Sequence, residues 1–170
     1  MLLFEIQQRL KNLGIERTDC KIACREFLPQ LISEHNVGVT LTLKKSWYSM
    51  NGKMKVIFFL HDANIDIVAK RFVHILNKLI WKNSYKNKKS CLKTISVVED
   101  GFGKKHTHIH CAIGNFPSDF KFRDLPRLVK KASNECFEID AQHKEDIADS
   151  GWIEYITKEI GKRDTDKVQW

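Results

Sequence analysis

Two short segments of this chain carry side chains suited to phosphodiester chemistry. The first, KKHTHIHCAIG, places His106, His108 and His110 at a spacing of two. Extended backbone sends alternate residues to one face, so three imidazoles would share a face while Ile109, Cys111 and Ile113 turn to the other. Imidazole is a common ligand for divalent metals, and adjacent positions on a strand face can converge on one cation. His108 and His110 fit best, because Ile109 between them anchors the strand from behind. His106 lies nearer the turn and is left as a DNA contact, a spare ligand or an exposed side chain. Two neutral rings hold a hard cation poorly, so a carboxylate should complete the set. Glu99 ends the preceding strand and a short turn leads back to the histidines, which can bring it beside them. Asp100 is the second candidate, although an Asp in a turn commonly bonds local amides.

The second segment is GWIEYITKEIGK. At about 100° per residue, Ile153, Ile156 and Ile160 make a narrow apolar stripe expected to pack on a sheet. Tyr155 lies away from that stripe, with Trp152, Lys158 and Glu159 as its neighbours on the outer side. A phenol, with a pKa of about 10, is a weak nucleophile at neutral pH. Beside a cation that polarises a phosphate oxygen, it can attack phosphorus. Lys158, one turn on, would stabilise phenolate character or hold a phosphate. An exposed helical tyrosine means nothing alone; its weight comes from the histidine strand.

These groups need a scaffold. Helical segments are expected over about residues 2–13 and 18–34. VGVTLTLKK then alternates Val39, Leu41 and Leu43 with Thr40, Thr42 and Lys44, a strand pattern. Asn51-Gly52 is a turn signal, and Lys55 to His61, around VIFFL, reads as a strand buried on both faces. Ile65, Val68, Phe72, Ile75, Leu76 and Leu79 give helical spacing up to Trp81. The polar loop WKNSYKNKKS follows. Strands over Cys91–Glu99 and Lys105–Ile113 form a hairpin, followed by a helix over Phe122–Glu135, a short strand over Cys136–Ala141, and a helix over Gly151–Ile160. The order predicts an α+β fold, a central antiparallel β-sheet of about five strands flanked by helices. Residues 1–36 are expected as a helical extension packed on a domain spanning 37–170.

With 170 residues, 42% apolar and 10% aromatic, the chain suits one folded domain. Its 29 Lys and Arg against 21 Asp and Glu give +8, which points weakly to a polyanionic partner. Cys20, Cys24, Cys91, Cys111 and Cys136 form no Cys-x-x-Cys pair, so neither a disulfide framework nor a zinc module is implied. The N-terminus carries no cleavage signal and no run suits a membrane span, so no membrane partner is expected. The chain reads as cytoplasmic in a bacterial or archaeal host, or nuclear in a eukaryotic system. Lys82, Lys86, Lys88 and Lys89, interleaved with Trp81 and Tyr85, make a stretch suited to single strands, where aromatics stack bases and lysines meet phosphates. Lys104 and Lys105 could carry that strand toward the metal. A solvated basic loop is the plain alternative.

Taken together, VGVTLTL, a Glu-ending strand leading into HTHIH, and then YITK resemble the HUH endonucleases, specifically the single-tyrosine rolling-circle replication-initiator branch. The likeness spans about Val37 to Lys158, and EDGFGKKHTHIH is similar to the acidic-strand, glycine-turn, histidine-strand hairpin of circovirus and geminivirus initiators. It implies an HUH/RRM-like sandwich with His108, His110 and Glu99 as ligands to Mg2+ or Mn2+ and Tyr155 as nucleophile. The substrate would be single-stranded origin DNA beside a hairpin. Nicking would leave a 5′-phosphotyrosine link and a free 3′-hydroxyl. The sequence lacks GxxxxGK[ST], so a host helicase and polymerase would be needed. Residues 1–36 have no obvious family counterpart, and the oligomeric state is not legible.

A transposase or mobilisation relaxase would use the same chemistry. A relaxase commonly places its tyrosine before the histidines, and compact tyrosine transposases usually carry an amide where Glu159 stands. Both points favour an initiator. A non-enzymatic single-strand-binding module would instead place aromatics on the central strands, where this chain has imidazoles and threonines.

Overall fold

The computed structural model describes residues 37–51, 53–99, 106–148, 151, 152, 155, 168 and 169. The helices expected over residues 2–13 and 18–34, Asp100, Lys104, Lys105, Lys158 and the expected Ile153, Ile156 and Ile160 stripe lie outside the described residues.

Strand β1 (Val37–Leu43) opens the described chain. Strands β2 (Ser46–Asn51) and β3 (Met54–Phe59) form a two-stranded hairpin. Helix α1 (Asp62–Ile80) and the short α2 (Lys82–Lys86) follow. Strands β4 (Lys93–Glu99) and β5 (His108–Gly114) lead to a 3-10 turn, Phe122–Asp124, and helix α3 (Leu125–Asn134). Strand β6 (Ile139–Ile147) and the two-residue β7 (Val168–Gln169) complete the described elements. The main sheet has the order β6-β1-β5-β4-β7, every pair antiparallel, which bears out the expected α+β class.

Strand alternation divides this sheet. Val39, Leu41 and Leu43 of β1, with Ile109, Cys111 and Ile113 of β5, are fully buried on one face. Against them packs α1, whose Ile65, Val68, Ala69, Phe72, Ile75 and Leu76 recur at helical spacing, and α3 through Leu125, Val129 and Ala132. Each fully buried side chain of this size contributes roughly 1.5–3 kcal/mol. Two polar devices tie the helix to the sheet. Asn77 Oδ1 accepts from Leu92 N at 2.7 Å, fixing the entry to β4. Arg71 donates to both oxygens of the buried Glu138, at 2.8 and 2.9 Å, just before β6.

The structure corrects several expectations. VIFFL is not buried on both faces: among the described residues β3 pairs only with β2, and Ile57, Phe58 and Phe59 are exposed. A continuous apolar run suits a fully covered strand, but here it lies in a separate two-stranded ribbon. The ribbon's first strand, SWYSMN, carries no apolar alternation and was not expected from the sequence. Part of WKNSYKNKKS is helical, and the strand after α3 runs to Ile147. No helix among the described residues is long and apolar enough to cross a membrane.

Candidate active site

The face of the central strands turned away from α1 and α3 carries the polar residues. Thr40 pairs with His110 and Thr42 with His108 across β1 and β5, while Glu99 pairs with His108 and Val97 with His110 across β4 and β5. Directly opposed residues point to the same side of an antiparallel sheet, so Thr40, Thr42, Val97, Glu99, His108 and His110 form one contiguous patch.

Each threonine holds a ring. Thr40 Oγ1 lies 3.0 Å from His110 Nδ1, and Thr42 Oγ1 lies 3.2 Å from His108 Nδ1. Occupying Nδ1 in this way fixes ring orientation and turns both Nε2 atoms away from β1. The threonines of VGVTLTL, read from sequence only as the polar side of a strand, are thus ring-holding groups. Strand register was the missing signal, since it alone says which threonine faces which histidine.

His110 is 3% exposed, and its Nε2 lies 2.9 Å from Glu99 Oε2. With the carboxylate as acceptor, Nε2–H donates to Glu99, and in the neutral ring Nδ1 accepts from the Thr40 hydroxyl. The rings of His108 and His110 lie 6.2 Å apart between centroids, tilted by 33°. Among the described residues, no group of three or more His, Cys, Asp or Glu is spaced to hold a metal ion. The donor types still suit a cation: two imidazoles with Nδ1 engaged and a carboxylate on the same face. The Glu99–His110 contact draws the acid onto one of the rings.

His106 precedes β5 rather than lying on it. Its Nδ1 donates to Leu43 O at 3.2 Å, and the residue is exposed. It bonds backbone beside the site.

Residues 151, 152 and 155 are helical, and they bring the second segment to this face. The Tyr155 ring stands perpendicular to His110, at 5.5 Å between centroids, and the residue is 50% exposed. Trp152, one turn earlier, is 6.4 Å from the same imidazole, also edge-on. Its indole rests on Gly38 so closely that a Cβ there would fall 2.6 Å from Nε1. Gly38 pairs with Ala112, so two small residues make the shelf that receives the indole. Trp152 was expected on the outer side of its helix; instead it docks on the sheet, because the shelf beneath it has no bulk.

The Lys82–Lys89 stretch is elsewhere. Tyr85 Oη lies 2.8 Å from His74 Nδ1 on α1. A cleft beside α1 is lined by His74, Tyr85, Thr94 and Ser96, and Thr94 and Ser96 pair with Ile113 and Cys111, whose side chains face the helices. Lys82, Lys86, Lys88 and Lys89 line the adjoining surface. They are brought together with Tyr85 but not with the histidines, which occupy the opposite side of the sheet. Comparison with protein families, curated proteins and solved structures finds no match for this chain.

Proposed function

We propose that this chain is a metal-dependent enzyme that nicks and rejoins single-stranded DNA, with Tyr155 as nucleophile. One observation carries the reading: a phenol ring from a distant segment stands against an imidazole whose partners are a threonine and a glutamate. His108, His110 and Glu99 would hold a divalent cation, Mg2+ or Mn2+, which when bound supplies charge stabilisation at a non-bridging phosphate oxygen. Tyr155 Oη attacks phosphorus, forming the phosphotyrosyl bond and releasing its proton to solvent. The P–O3′ bond breaks, and the departing 3′ oxygen takes up a proton. A 3′-hydroxyl attacking the phosphotyrosine reverses both changes.

Rolling-circle initiation is favoured within this chemistry by motif order, Tyr155 following the histidines. On that reading the substrate is single-stranded origin DNA beside a hairpin, a host polymerase extends the exposed 3′-hydroxyl, and a host helicase unwinds the duplex ahead of it. A transposase would instead join excised ends in strand-transfer assays.

The test incubates wild type and Tyr155→Phe with a randomised pool of single-stranded DNA in Mn2+, Mg2+ or chelator, followed by denaturing electrophoresis. A covalent adduct is expected only with wild type and metal. An adduct surviving in Tyr155→Phe, or none from wild type with either metal, would sink the proposal.

A further inference from the structure

The β2–β3 ribbon presents an uncovered aromatic face. Tyr48 pairs with Ile57 and Ser46 with Phe59, so Tyr48, Ile57 and Phe59 point to one side. They are 64%, 57% and 61% exposed. The reverse side is anchored: Trp47 stacks on Phe58 at 6.1 Å and meets Phe137 edge-on at 5.6 Å. Leu60 N donates to Lys45 O at 2.9 Å, closing the base of the ribbon. The exposed face is therefore held outward by packing behind it.

Charge narrows the occupant. From Lys44 to Leu60 the chain carries Lys44, Lys45, Lys53 and Lys55 and no acidic residue. Lys55 Nζ sits 4.2 Å above the Tyr48 ring, a cation beside an aromatic face. Exposed rings interleaved with lysines suit a strand whose bases stack while its phosphates meet ammonium groups. A second copy of the chain on the same face would bring two sets of these lysines together with no acidic residue of the ribbon between them. A protein partner would need an acidic surface that also buries aromatics, whereas a nucleic acid supplies both in every nucleotide.

Position joins the ribbon to the candidate site. β2 begins just past Thr42, whose hydroxyl holds His108, and His106 Nδ1 bonds Leu43 O at the same strand end. We infer that Tyr48 and Phe59, with Lys55, form a stacking platform for single-stranded DNA that leads the strand toward His108. The choice of DNA over RNA rests on the nicking reading; the stacking surface does not.

The test measures binding of labelled oligothymidylate and oligouridylate to the full chain by fluorescence anisotropy in chelator, which removes any metal-bridged contact. Tyr48→Ala and Phe59→Ala should each weaken oligothymidylate binding about five- to a hundredfold, while Tyr48→Phe keeps wild-type affinity because the ring face does the stacking. Both side chains are exposed, so unchanged thermal unfolding is expected. Alanine variants that bind like wild type would overturn the inference, as would variants that lose self-association in sedimentation instead of DNA affinity. Tighter binding of oligouridylate would overturn the assignment to DNA. Wild type that forms no covalent adduct, yet loses binding in the alanine variants, would sink the nicking reading and leave the platform standing.

Discussion

Tyr155 and His110 meet edge to face at 90°, and Trp152, seated on Gly38, meets the same imidazole edge-on. If the indole, one helical turn from Tyr155, aims the phenol, the two should move together.

Gly38→Ala tests that dependence. A methyl group would fall inside the space of the indole, so Trp152 must shift and Tyr155 with it. Misplacement by about 1 Å can cost about a hundredfold in rate. Adduct formation should fall by that order while oligonucleotide affinity changes little. An unaltered rate would show that the indole yields without moving the tyrosine.

Thr40→Val removes the hydroxyl at His110 Nδ1 while keeping the side chain's shape. Loss of a group that orients a ligand typically costs about 10- to 100-fold in metal affinity or activity. Thr40→Ser should retain most of it. Mn2+ titration by calorimetry reads the effect directly.

Glu99→Gln leaves a neutral amide beside His110. Metal affinity and adduct yield should both drop, and excess Mn2+ should restore part of the yield. His108→Ala and His110→Ala should lose cleavage and keep most of the DNA affinity. Equal Mn2+ affinity in Glu99→Gln and wild type would remove Glu99 from the ligand set.

Alkylation should separate the described thiols. Burial pushes Cys111 up to about 11, with the Ser96 hydrogen bond opposing, and burial pushes Cys136 to a similar value. Cys91 is exposed, so iodoacetamide at neutral pH should label Cys91 well before either buried thiol, as peptide mapping would show. The folded state holds the two buried protons more tightly than the unfolded chain. Their contribution is therefore complete below about pH 9 and is lost as pH rises toward about 11, so urea midpoints should fall across that interval. A flat midpoint between those values would contradict it.

Phe72→Ala removes a fully buried ring of α1. It should cost about 3–5 kcal/mol in unfolding free energy, measured by urea denaturation. A loss well under that range would mean the core collapses into the space.

The central sheet was legible because Val39, Leu41 and Leu43 alternate with threonines, and because His-Ile-His repeats that alternation on β5. Helix α1 was legible from its apolar spacing. The meeting of Tyr155 with His110 was expected only from combined chemistry, since nothing local in GWIEYITK says what lies beneath it. The exposed ribbon was misread because VIFFL has the composition of a covered strand, and cover is a tertiary property. Trp152 was misplaced because an aromatic's docking site depends on a distant Gly38 that has no side chain to signal it.

The threonine and imidazole face of β1 and β5 has a practical consequence. Odd-numbered positions from Val39 to Leu43 and from Ile109 to Ile113 build the face packed on the helices, while Thr42 and His108 on the other face are only half-buried. A library randomised at Thr42 and His108 should yield soluble, cooperatively melting proteins for the most part, many of them inert, so new reactivity can be sought there without rebuilding the scaffold.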